Sequence, residues 1–111
     1  MAGTVDDISD ENYASVIASP AAVVAYGISA CEACNALDPV LAEAAQRYPQ
    51  VRFGKAKMHV PGRCREIKKT HTFETYPTVH LFSGGNLIMT REGKLELAEL
   101  TALINDHLLN H

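Results

Sequence analysis

The segment AAVVAYGI, residues 21–28, constrains the fold more than any other part of the chain. It is short, apolar and β-branched at its centre, and no charged residue interrupts it. A strand without apolar–polar alternation is buried on both faces, so helices must cover both sides of the sheet that contains it. Just beyond it the periodicity changes. From Cys34 onward, Leu37, Leu41, Ala44, Ala45 and Tyr48 recur along one stripe of a helix, and Pro39 is expected to kink that helix in its second turn.

The remaining segments continue the alternation. Ser9, ahead of DENYASVIAS, reads as the N-cap of a short helix with Tyr13, Val16 and Ile17 on one side, ended by Pro20. In VRFGKAKM, Val51, Phe53 and Met58 fit a second strand; Pro61 and Gly62 break it, and Arg63 to Lys69 read as helical. YPTVHLF is a further apolar strand, Gly84 and Gly85 turn the chain, and NLIMTRE returns as its hairpin partner. Leu97, Leu100, Ile104 and Leu108 form the stripe of a closing helix that begins after Gly93. The order β-α-β-α-β-α-β-β-α implies an α/β fold, a central mixed sheet of four to five strands flanked by about four helices. Residues 1–111 are expected to form a single domain of this kind.

Composition narrows the function. The longest apolar run is far shorter than the roughly 20 residues a membrane helix needs. The acidic N-terminal stretch lacks the charged-then-apolar pattern of an export signal, which points to a cytoplasmic protein. A net charge of -3 indicates neither a nucleic acid nor a membrane surface as partner. Seven of the ten Lys and Arg residues nevertheless fall between Arg52 and Lys69. A solvated helix face with strand-edge lysines is the plain reading of that cluster, and a positive rim for acidic clients is the sharper one. Three cysteines are too few for a disulfide scaffold, so reactive or metal-bound sulfur is expected instead.

Cys31 falls where the buried strand gives way to the helix, so N–H groups of the first helical turn point toward its sulfur and favour a thiolate. Cys34 lies one turn further, on the stripe of Leu37 and Leu41, and should be shielded while Cys31 is exposed. An accessible nucleophile beside a protected second thiol is what disulfide exchange requires. Such a CxxC within a βαβ pattern is the mark of a redox motif.

The motif Cys31-Glu32-Ala33-Cys34 after a buried strand, Pro39 five residues beyond it, Tyr76-Pro77-Thr78 before the hairpin and Gly93 after the last strand together resemble the thioredoxin family. The resemblance covers nearly the whole chain. It implies a thiol–disulfide oxidoreductase in which Cys31 attacks and Cys34 resolves. It also implies a cis peptide bond before Pro77, a substrate groove framed by Tyr76, Pro77 and Gly93, and a thioredoxin-reductase-type electron donor. No cofactor beyond the Cys31–Cys34 disulfide is implied, and the partners would be client proteins with disulfides, met by a monomer. The chain departs from the family at three places. Ala30 replaces the usual Trp, Glu32-Ala33 replaces Gly-Pro, and Ala25 replaces a buried Asp that handles the resolving thiol's proton. Lys55, which matches that Asp's usual partner, is expected to lack a counter-charge.

Three residues are candidates for tuning the Cys31 pKa: Glu32, which disfavours a neighbouring thiolate, His59 and Lys55. Arg63, behind His59, would likewise stabilise the thiolate if it approached Cys31. His80, set among apolar strand residues, reads as a satisfied core histidine. Cys64 reads as a small, partly buried helix residue, or alternatively as a regulatory or dimer-forming thiol. Two other function classes stay open on the residues alone. One is a non-catalytic adaptor or redox-sensing interaction module using the same groove. The other is a metal or iron–sulfur protein, for instance a Cys3His zinc site built from Cys31, Cys34, Cys64 and one histidine.

Overall fold

A computed structural model describes residues 3–109. Its elements follow the expected order: β1 (Val5–Ile8), α1 (Tyr13–Ile17), β2 (Ala22–Gly27), α2 (Glu32–Arg47), β3 (Arg52–Lys57), α3 (Ile67–Thr70), β4 (Thr78–Ser83), β5 (Asn86–Glu92) and α4 (Leu97–Ile104). A π-helical turn, Asn105–Leu109, extends α4 and keeps Leu108 buried. The five strands form one sheet in the order β1-β3-β2-β4-β5. β1, β3 and β2 run parallel, whereas β4 is antiparallel to β2 and to β5.

All six residues of β2 are buried, as the uninterrupted apolar run requires. Because side chains alternate across a strand, β2 feeds two cores. Val23 and Ala25 join Leu37, Leu41, Phe53, Val79, Leu81, Leu100 and Ile104 beneath α2 and α4. Ala22, Val24 and Tyr26 join Ile8, Val16, Met58, Ile67 and Phe82 on the face covered by α1 and α3. Gly54 of β3 permits the close approach of β1, since a Cβ there would lie 2.5 Å from Ile8 Cδ1.

Two expected helices differ from the observed ones. Ser9 does not cap α1; its carbonyl accepts the N–H groups of Asn12 and Tyr13, and the helix begins at Tyr13. Asn12 shapes this entry, accepting the Ser9 N–H at 2.8 Å and donating to the Asp7 carbonyl at 3.0 Å. The expected helix over Arg63 to Lys69 is reduced to Ile67–Thr70. Its start is fixed from another segment: the Asp10 carboxylate accepts the N–H groups of Glu66 and Ile67 at 3.1 Å. Cys64 therefore sits in a turn, and it is fully buried rather than partly so. Its sulfur faces the carbonyls of Lys57 and Ile8, and burial pushes its thiol pKa up.

His80 is a satisfied core histidine. It is 3% exposed, and its Nδ1 lies 3.0 Å from the Tyr26 hydroxyl, which in turn is 2.7 Å from the Tyr13 hydroxyl. Burial, reinforced by the nearby His71, pushes its pKa down to about 4. The folded protein thus keeps His80 neutral where the unfolded chain, with a value of 6.5, takes up a proton. Stability falls on acidification from pH 6.5 to about 4, by roughly 3 kcal/mol when the effect is fully developed. Urea denaturation across this window should show the loss, and His80→Phe should flatten it. Equal acid slopes in the two proteins would remove His80 as the cause.

Candidate active site

The turn from β2 into α2 creates the site. Cys31 is the N-cap of α2, with an extended backbone, and the N–H of Cys34 points at its sulfur from 3.1 Å. Cys31 and Cys34 are joined as a disulfide with their Cα atoms 5.2 Å apart. The two sulfurs have unequal surroundings, since Cys34 is 3% exposed while Cys31 is only partly buried. The helix that carries them runs unbroken through Pro39.

The β4 approach closes the other side. The Tyr76–Pro77 peptide bond is cis, and the Tyr76 carbonyl oxygen lies 3.8 Å from Cys31 Sγ. Pro77 is buried against the same small void as Cys34. Gly93 donates its N–H to the Pro77 carbonyl at 2.8 Å, and its φ of +85° is a conformation that favours glycine. The Tyr76 ring is stacked on Phe73 with an interplanar angle of 10°. The structure therefore brings Cys31, Cys34, Tyr76, Pro77 and Gly93 together, although they are spread over more than half of the chain.

The three residues considered as tuners of Cys31 are placed differently. Glu32 is exposed in the first turn of α2, where a carboxylate suits the positive end of the helix dipole. His59 is exposed after β3, with no hydrogen bond or ion pair to either sulfur. Arg63 is committed elsewhere, to Asp7 at 2.6 Å. Lys55 does have a counter-charge, contrary to expectation: its Nζ lies 2.5 Å from Asp38 Oδ1. Asp38 is the site residue that the sequence reading missed. It lies one helical turn beyond Cys34, a spacing that places both on one face of α2 and could have drawn attention to it.

Cys64 belongs to the opposite core from the α2 helix, so the three cysteines do not converge on one centre. Among the described residues, no group of three or more His, Cys, Asp or Glu side chains is arranged to hold a metal ion. Nor is any helix among them long and apolar enough to cross a membrane.

Comparison with known proteins places this geometry. The family model described as Thioredoxin matches residues 4–106. A thioredoxin of Chlamydia pneumoniae is 34% identical over 100 residues, covering 90% of this chain and 95% of the relative. Among solved structures, a mutant thioredoxin from Halobacterium salinarum superposes with a TM-score of 0.85 at 16% identity, covering 96% of this chain and 92% of that one. A further match is to a structure of ferredoxin:thioredoxin reductase in complex with thioredoxin f2, with a TM-score of 0.81, 15% identity and coverage of 95% and 96%.

Ala30, directly before Cys31, has a φ of +54°, in the left-handed region. That conformation costs an L-residue with a Cβ about 1–2 kcal/mol, of which glycine's greater unfolded-state freedom would return only part. Ala30→Gly is expected to raise stability by about 0.5–1 kcal/mol, read as a higher urea midpoint at unchanged m-value. A lower midpoint would show that the Ala30 methyl contributes packing that outweighs the backbone effect.

Proposed function

The chain belongs to the thioredoxin family, and from that premise we propose that Cys31 opens and Cys34 completes the reduction of disulfides in client proteins. The protein is a thiol–disulfide oxidoreductase of the thioredoxin type. The observation that supports this division of roles most directly is the Cys34 N–H, 3.1 Å from Cys31 Sγ at the positive end of a sixteen-residue helix. A donor aimed at a sulfur, in the field of a helix N-terminus, favours the thiolate, which is the attacking species.

In the reduced protein, the Cys31 thiolate attacks one sulfur of a client disulfide. A Cys31–client bond forms, and the other client sulfur leaves with the electron pair and takes up a proton. Cys34, having lost its own proton, then attacks Cys31 Sγ. The Cys31–Cys34 bond forms as the Cys31–client bond breaks, and the second client sulfur departs as a thiol. Two electrons have passed to the client, and the protein is left as the disulfide.

The groove beside Cys31 suits an extended client segment. Tyr76 presents its backbone next to the sulfur, and Gly93, without a side chain, leaves the neighbouring rim low. A reductase of the thioredoxin-reductase class would return the electrons. The complex of a structurally similar thioredoxin with ferredoxin:thioredoxin reductase supports a donor of that kind. A reducing compartment such as the cytoplasm would keep the cycle turning, and the redox-active disulfide is the sole cofactor it needs.

Insulin disulfide reduction with dithiothreitol as donor tests the assignment. Cys31→Ser is expected to fall to the uncatalysed background. Cys34→Ser should keep the first attack and accumulate a mixed disulfide with the client, detected as a mass adduct on Cys31. Wild-type turnover no faster than Cys31→Ser would leave the protein as a groove that binds without catalysis.

A further inference from the structure

Cys34 faces a chemical difficulty in the second step. The residue is 3% exposed, and a thiol in apolar surroundings resists ionisation, yet only the thiolate can attack Cys31. A proton acceptor must be within reach. Ala25, which lies beside Lys55 in the sheet, offers only a methyl group.

The sulfur is not sealed off, however. A void of about 10 Å³, room for a single water molecule, is lined by Cys34, Ala25, Pro77, Asp38 and Lys55 among others. Of the described residues around it, Asp38 carries the one carboxylate. Asp38 and Lys55 also line an outer cleft of about 400 Å³ on the solvent side. The pair therefore stands between the buried sulfur and bulk water. Its geometry is fixed: Asp38 Oδ1 and Lys55 Nζ are 2.5 Å apart, and the Asp38 side chain is 45% exposed, open to exchange protons with solvent. The other charged groups facing the pair across the cleft are Asp6, Asp7 and Lys57, and Asp6 and Asp7 are held by Arg52 and Arg63 at 2.6 Å.

We propose that Asp38, held by Lys55, is the positioning residue that receives the Cys34 proton through one water molecule in this void and so sets the rate of mixed-disulfide resolution. The proposal rests on the division of roles between Cys31 and Cys34 given above. The Cys34 proton passes to water as that water gives a proton to the Asp38 carboxylate, and the Cys34 thiolate attacks Cys31 Sγ. The client thiolate leaves with the electron pair of the broken bond and is protonated by solvent. Asp38 then releases its proton into the outer cleft. When a donor reduces the disulfide, the same path returns a proton to Cys34.

Stopped-flow reaction of the reduced protein with the aryl disulfide known as Ellman's reagent separates the two steps, because each releases one coloured thiolate. The second release should be slower in Asp38→Asn by at least about tenfold at pH 7, below the usual hundredfold or more for general-base catalysis because solvent competes at a half-exposed carboxylate. Its rate should then rise about tenfold per pH unit, tracking direct ionisation of Cys34, whereas the wild-type profile stays much flatter. Asp38→Glu should restore the flat profile. Superimposable wild-type and Asp38→Asn profiles would overturn the proposal. So would Asn and Glu variants slowed by one common factor at every pH, the mark of a purely structural role. A first release that persists in Cys31→Ser would instead overturn the assignment of the attacking sulfur, and this proposal with it.

Discussion

The burial of β2 on both faces is the constraint from which the site follows. A central strand fixed by parallel β3 on one side and antiparallel β4 on the other cannot slip by a residue without turning its two core faces inside out. Its end, Gly27, is therefore fixed relative to both neighbours, and so is the point where α2 begins. The sulfur of Cys31 at the helix cap, the shielded sulfur of Cys34 one turn in and the Pro77 loop at the start of β4 are consequences of that register. The chemistry occurs at the open end of the strand because this is where buried backbone gives way to a helix N-terminus.

The same architecture makes the two thiols unequal without any cofactor. A cap position is half outside its helix, so Cys31 retains access to a client while receiving the N–H of Cys34. One turn later, the side chain falls on the face that packs against the sheet. A small void lined by the Asp38–Lys55 pair then lies beside Cys34. Access governs which sulfur begins the exchange, and proton transfer governs how quickly the other ends it.

Much of this was legible in the sequence because the signals were local. The β2 run, the α2 stripe and the strand-to-helix placement of CxxC each lie within a few turns of chain, and the alternation of elements gave the sheet its mixed character. The β1 strand stood first in the expected order but was not located, since Val5 and Ile8 are three apart and the intervening Asp6 and Asp7 interrupt any apolar run. Those carboxylates are in fact satisfied by Arg52 and Arg63 from distant segments. The expected helix at Arg63–Lys69 had charge but little apolar periodicity, and its short remnant is capped by Asp10, more than fifty residues earlier. Lys55 seemed unpaired because its partner comes from another element; only the folded register of β3 beneath α2 brings Asp38 to it. Long-range pairing, rather than propensity, accounts for each of these differences.

The unequal reactivity of the two thiols can be measured without any client or donor. Reduced protein would be treated with iodoacetamide over a range of pH, and the label on each cysteine followed by peptide mass spectrometry. The structure predicts that Cys31 is alkylated first at neutral pH, with Cys34 and the buried Cys64 protected until the fold is disrupted. Equal labelling of Cys31 and Cys34, or earlier labelling of Cys34, would contradict it.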